Sequence, residues 1–287
     1  MRCISRLAGV AAIVLAPLAH IDAQVAAKNL AFDFRTTVTV VGTPDTGVIQ
    51  GHALGSADKM RMDLTLKGPG AQVSPLGTPG GEMSMILSDS GKTVTYLDTK
   101  ASRYVRVRPA EMLAQIQQMG QVKMTFSDTQ AKVDSLGAGP TILGHPTSHY
   151  RVGTGMTMTI SAMGEEQSVK VSSTADYYYA NDIKGVVNPF ASLTGSDMAS
   201  MFGGSSKEFA DKLKTAQNKL PKGTPLRAST TATMITQGQT RVTNTQAEVT
   251  AVKWVDAKPS AFEVPANYTA VTLPGMAAGS GGSIPPK

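Results

Sequence analysis

Residues 59–66 read KMRMDLTL, with Met60, Met62, Leu64 and Leu66 alternating with Lys59, Arg61, Asp63 and Thr65. Strict alternation over eight residues puts every apolar side chain on one side of an extended chain, the pattern of a half-buried β-strand. The same period recurs outward in both directions. Phe32, Phe34, Thr36, Val38 and Val40 share one face of a strand before it, and residues 48–54 supply another. After it, Met83, Met85 and Leu87 share a face, Asp89-Ser90-Gly91 turns the chain into residues 92–98, and residues 103–108 follow. Residues 68–81, GPGAQVSPLGTPGG, read as a turn-rich loop. Longer strands are predicted over 123–136, 147–163, 167–179, 226–236 and 239–252, the last two joined at Gln237-Gly238.

Two stretches break this period. Pro109 can open a helix, because its missing N–H is an orphan there anyway, and Met112, Leu113, Ile116 and Met119 then fall on one face before Gly120. Later, Ser205-Ser206-Lys207-Glu208 fits a capping box, and Phe209, Leu213, Ala216 and Leu220 recur at helical spacing until Pro221. Together with a short helical segment carrying Phe190, Met198, Met201 and Phe202, this second stretch makes a helical insert over 183–220. The expected fold class is mainly β (α+β): a strongly curved antiparallel sheet or half-barrel of about nine to eleven strands, with helices packed on its open side.

The amino terminus has three parts. Arg2 and Arg6 precede an apolar run over residues 7–19, and small residues follow, ending at Ala23. This is the pattern of a secretory signal peptide over residues 1–23, cut after Ala23 or, alternatively, after Ala26 or Ala27, and it implies a periplasmic or secreted protein. The run of 13 residues is too short for a spanning helix, which needs roughly 20. No later run is longer, so no transmembrane segment is expected in the mature chain. The single cysteine, Cys3, lies in the removed part, which leaves no disulfide, zinc-thiolate site or thiol nucleophile. The end of the chain, residues 275–287, is rich in glycine and closes on Pro-Pro-Lys, and reads as a flexible tail. Between them, residues 24–274 make a single domain.

Without residues 1–23 the 27 basic and 21 acidic residues fall by two and one, a mild excess of about +5. Nucleic-acid binding calls for a concentrated basic stripe, and none is present. The densest cluster, Arg103, Arg106 and Arg108 beside Tyr104, reads either as a solvated strand face or as a contact for an anionic headgroup. Nucleophilic hydrolysis on a G-x-S-x-G elbow is excluded because the motif is absent. Gly91-Lys92-Thr93 ends like a phosphate loop, but Ile86 stands where the first glycine belongs and strands lie on both sides. His145 and His149 are four apart, yet Gly144 and Pro146 disfavour the helix that would aim both at one metal. Glu165 and Glu166 are adjacent and point apart, so they form no acid–base pair. No catalytic residue, metal site or cofactor is expected.

Methionine is abundant, with 15 residues, and aromatic residues are few. Met60 with Met62, Met83 with Met85, and Met156 with Met158 each share a strand face. Such side chains suit surfaces that accept variable apolar partners, and they equally suit ordinary core packing. The candidate ligand-binding residues are Met60, Met62, Met85, Leu87, Met156 and Met158. The functional expectation is a non-enzymatic cell-envelope protein that binds or carries an acyl or lipid-like ligand. The alternative is an envelope scaffold or protein-interaction module with a filled core.

Several segments in order carry a resemblance. They are Lys59-Met-Arg-Met-Asp63, Tyr96-Leu-Asp98 with Tyr104, Thr141-Ile-Leu-Gly-His-Pro-Thr-Ser-His-Tyr150, Tyr179-Ala-Asn-Asp-Ile183, Gly223-Thr-Pro-Leu-Arg227 and Phe262-Glu-Val-Pro-Ala-Asn-Tyr268. Together they resemble an uncharacterised family of exported bacterial proteins with a fold akin to the lipoprotein carriers LolA and LolB. The resemblance implies a curved antiparallel sheet covering helices, sometimes with an apolar cavity, and the helical insert as a lid. It implies no reaction and no catalytic residues. Where relatives place a cysteine near the Gly144 position this chain has Thr147 or Ser148, so no disulfide is implied.

Overall fold

The computed structural model describes residues 28–44, 46–68, 81–109, 111–112, 122–162, 165–184 and 207–272. Among the described residues twelve strands form one sheet. They are β1 (Asn29–Val40), β2 (Thr46–Gly55), β3 (Met60–Lys67), β4 (Glu82–Ser88), β5 (Thr93–Asp98), β6 (Arg103–Val107), β7 (Val122–Ala138), β8 (Thr147–Ala162), β9 (Glu165–Lys184), β10 (Gly223–Thr236), β11 (Gln239–Val255) and β12 (Thr269–Ala270). One α-helix is defined among the described residues, α1 (Lys207–Gln217). The order across the sheet is β12-β6-β5-β4-β3-β2-β1-β11-β10-β9-β8-β7.

This order is two meanders sharing a seam. From β1 the chain steps strand by strand to β6 at one side. It then re-enters at the far edge as β7 and steps back to β11, which pairs with β1 from Asn29↔Val255 to Val40↔Thr243. Every pairing is antiparallel except that of the two-residue β12 with β6, which is parallel. The sheet is open, with β7 at one edge and β12 at the other.

The expected α+β architecture, with helices layered across the open side of a half-barrel, is therefore corrected. The described chain is nearly all strand, in a single open sheet, with one helix of 11 residues packed on β7 at the edge. The physical reason lies in the amount of extended chain. The five later strands run 14 to 20 residues each, so period-2 alternation accounts for most of the domain. In the predicted insert, Phe209, Leu213 and Ala216 are buried on α1 as their spacing requires. Residues 185–206 of that insert lie outside the described residues. Of the helix predicted after β6, Pro109, Glu111 and Met112 are helical and the Met112 amide donates to the Arg108 carbonyl. Residues 113–120 lie outside the described residues, as do the predicted signal peptide, most of the 68–81 loop and the tail.

Register decides which side chains share a face. Phe32 opposes Ala53 and Val252, Ala53 opposes Met62, and Met62 opposes Met85. On the other half, Ala247 opposes Ala228, Ala228 opposes Tyr177, and Tyr177 opposes Tyr150. Directly opposed residues point to the same side, so one apolar face runs across the seam. Its main cluster includes Leu30, Phe32, Phe34, Met60, Met62, Tyr177, Tyr179 and Leu226. The opposite face carries most of the charge.

Edge β7 is blunted rather than left flat. Its pairing with β8 is broken by irregularities between Ser127 and Gln130 and between Ser135 and Gly137. At the first of these Asp128 adopts φ 51°, and Lys212 of α1 donates to the Thr129 carbonyl at 2.9 Å. Bulges and a lysine at an exposed edge discourage pairing with another chain.

Candidate functional site

The six predicted ligand-lining residues do share the apolar face. Met60 opposes Leu87 and Met62 opposes Met85 across β3 and β4. They divide, however, into two clusters. Met60, Met62 and Leu87 belong to the main core at 0%, 2% and 3% exposure, with Met85 half-buried against it. A side chain with no exposed surface touches no space large enough for water, so Met60 is packed rather than lining a hollow. Met156 lies in a second cluster with Phe209 and Leu213 of α1 and the half-buried Phe126, Ala131 and Val171. Met158 pairs with Val169 and Phe126 and stays half-buried.

Between the clusters the same face is lined by small residues. One row across the sheet runs Val38, Thr245, Thr230, Ala175, Val152. The next runs Val40, Thr243, Ala232, Ser173, Thr154. Thr245, Thr230, Thr243, Ala232, Ser173 and Thr154 are all half-buried. Large side chains thus stand on both sides of a belt that bears none on β10 and β11. At its border, in the preceding row, Thr36 is 5% exposed and its hydroxyl has no hydrogen-bond partner. A buried hydroxyl without a partner costs about 1–3 kcal/mol.

The other face carries an ordered row of polar groups. Gln50, Arg35, Glu248, Arg227, Tyr178 and His149 follow one another strand by strand across β2, β1, β11, β10, β9 and β8. Beside it run Thr37, Gln246, Ser229, Asp176, Arg151 and Asp134. Asp176 is held by Arg151 through two bonds of 2.9 and 3.0 Å and by His149 Nε2 at 3.0 Å. The Arg151 bonds, reinforced by His149, outweigh partial burial and hold the Asp176 carboxyl below the usual carboxylate range. His149 in turn stacks on Tyr178, with ring centroids 4.5 Å apart.

Comparisons with known proteins add no family. No family model matches the chain. No curated protein matches it either. A solved structure of PNGF-II in a C2 space group is similar to it over 85% of this chain and 31% of that one, at 13% identity and a TM-score of 0.34. The chain spans under a third of that protein's length, and a score this low carries no argument about fold or function.

The remaining sequence candidates resolve individually. His145 sits at the end of a tight turn and His149 on β8, and each bonds a different carboxylate of β9, Asp182 at 2.7 Å and Asp176. Those acids stand 37 and 27 residues away, so sequence proximity could not reveal them. The hydrogen bond from His145 holds the Asp182 carboxyl below its ordinary value. His52 Nδ1 meets Asp33 at 2.7 Å. Among the described residues no group of three or more His, Cys, Asp or Glu is placed to hold a metal ion. Gly91 and Lys92 end the short turn between β4 and β5, and Thr93 opens β5. The arginine cluster on β6 is engaged by its own surroundings. Arg103 bonds Asp98, Arg106 lies 5.9 Å over the Tyr104 ring, and Arg108 pairs with Glu111 at 3.1 Å. Among the described residues no helix is long and apolar enough to cross a membrane.

Proposed function

We propose that this is an exported, non-enzymatic protein that binds one acyl chain on the apolar face of its sheet. The site is the belt of small residues, not the methionine set read from the sequence. The observation that carries this reading is the step in side-chain size between the two apolar clusters. An extended hydrocarbon fits a trough floored by Thr230, Ala232, Thr243 and Thr245, all half-buried small residues. Burying about 14 methylenes at about 0.8 kcal/mol each is worth roughly 11 kcal/mol gross. Association and ordering remove on the order of 4–15 kcal/mol, so net binding is at most weak and reversible, as suits a carrier. Export rests on the amino-terminal pattern of basic residues, apolar run and small residues.

The test is lipid mass spectrometry on protein purified without detergent, with uptake of a fluorescent fatty acid measured in parallel. Ala232→Phe fills the belt and is expected to reduce uptake at least tenfold at unchanged melting temperature. Absence of both co-purified lipid and uptake rules the reading out.

The packing of Met60 and Met62 favours a second reading, an envelope scaffold whose interior is filled by its own side chains. It predicts a stable protein partner by cross-linking in native membranes and no fatty-acid uptake.

A further inference from the structure

A groove of about 460 Å³ on the polar face is lined by Arg35, Thr37, Tyr178, Arg227, Ser229, Gln246 and Glu248, with the backbone of Ala228 and Ala247 at its floor. The register places Arg35, Glu248 and Arg227 directly opposite one another on three successive strands. Neighbouring strands lie about 4.8 Å apart, so charge alternates plus, minus, plus at that step. Of the three, only Arg227 and Glu248 pair, and loosely. Arg35 is exposed and makes no ion pair among the described residues. Glu248 stands 4.0 Å from Arg227, with both side chains about half exposed. Asp176, one row away, is by contrast fully engaged by Arg151 and His149.

We propose that this groove binds a zwitterion, with its oxyanion on Arg35 and its ammonium on Glu248. A guanidinium offers a planar fork of donors that fits carboxylate or phosphate oxygens. An ammonium finds its counter-charge one strand away, and a two-carbon link between the two ligand charges spans that step. A simple anion meets repulsion from Glu248, and a simple cation meets two arginines, so the alternation selects against both. Gln246, Ser229 and Thr37 supply hydrogen bonds to neutral ligand atoms, and the Tyr178 ring, backed by His149, closes one end. The groove and the acyl belt lie on opposite faces of the sheet, so the two sites take separate molecules and stand or fall separately. The shared chemistry, an oxyanion linked to an ammonium, comes either from a free small molecule or from a zwitterionic lipid headgroup.

Titration calorimetry with O-phosphoethanolamine tests the site, with inorganic phosphate and ethanolamine as half-ligands and phosphatidylethanolamine vesicles as the second arm. Phosphoethanolamine is expected to bind at least tenfold tighter than either half. Arg35→Gln and Glu248→Gln are each expected to weaken it at least tenfold, while Glu248→Gln strengthens phosphate binding by removing repulsion. Both residues are exposed, and thermal melts of the two variants check that they fold. Binding of the soluble compound assigns a free ligand, and Arg35-dependent binding to vesicles alone assigns the headgroup. Phosphate binding as tightly as phosphoethanolamine overturns the proposal, as does binding that neither variant changes, or no binding to either probe.

Discussion

Asp98 and Arg103 meet at 2.8 Å across the turn that joins β5 to β6, with the carboxylate side chain only 1% exposed. The other carboxylate oxygen accepts from the Lys100 and Ala101 amides at 3.1 and 2.9 Å. One side chain thus closes the turn and anchors the strand on which β12 pairs. Burial works to raise the Asp98 carboxyl, and the bonds from Arg103, Ala101 and Lys100 together overcome it, so its pKa lies below the ordinary value. Asp98→Asn is expected to cost about 2 kcal/mol, the range for hydrogen bonds to a charged group, read by urea denaturation. The folded pKa is depressed, so the contribution is fully present above the unfolded value of about 3.9 and is lost as pH falls through the lower folded value. Wild type therefore loses this increment below about pH 4, and the Asn variant does not.

Thr36→Val removes the orphaned hydroxyl and keeps the branched shape. It is expected to stabilise the ligand-free protein by about 1–2 kcal/mol, seen as a higher melting temperature. Thr36→Ser keeps the hydroxyl and deletes a methyl, and is expected to destabilise.

Gly51 lies directly opposite Phe34 on β1. A Cβ built there would overlap the Phe34 ring and stand 2.8 Å from a Leu64 methyl. Gly51→Ala is expected to cost about 1–3 kcal/mol by overpacking. Phe34→Leu in the same chain should return part of that loss. A double-mutant cycle then shows coupling above about 0.5 kcal/mol, the level that marks residues in contact.

Much of the sheet was legible because alternation is a local signal. Lys59 to Leu66 shows its inward and outward sides without reference to any partner, and Gly238 marks the last hairpin as a residue free to adopt positive φ, observed at 77°. Which strands neighbour one another was not legible. The pairing of β1 with β11 joins residues more than 200 positions apart, and no spacing encodes it. For that reason the methionines looked like one lining, although Met60 and Met156 fall in separate clusters. The row Arg35–Glu248–Arg227 was invisible for the same reason. Each residue alone is an ordinary outward charge on a strand, and only register makes them a site.

Helix α1 provides the last check, because it separates burial from edge protection. Phe209 and Leu213 are buried at 4% and 7% exposure against Met156. Leu213→Ala is expected to cost about 2–4 kcal/mol, the range for a buried leucine truncated to alanine. Lys212 acts differently. Its side chain is 43% exposed, it pairs with Glu208, and it donates to the Thr129 carbonyl and hydroxyl at the β7 bulge. Lys212→Ala removes an exposed pair, expected to be worth under about 1 kcal/mol globally, and uncovers a carbonyl on the sheet edge. Hydrogen exchange should therefore quicken locally around Asp128 and Thr129 in Lys212→Ala with little change in melting temperature. In Leu213→Ala the melting temperature falls and protection is lost across β7 and β8 together. Equal effects of the two variants would mean that α1 guards the edge only by packing, and that the lysine contact adds nothing.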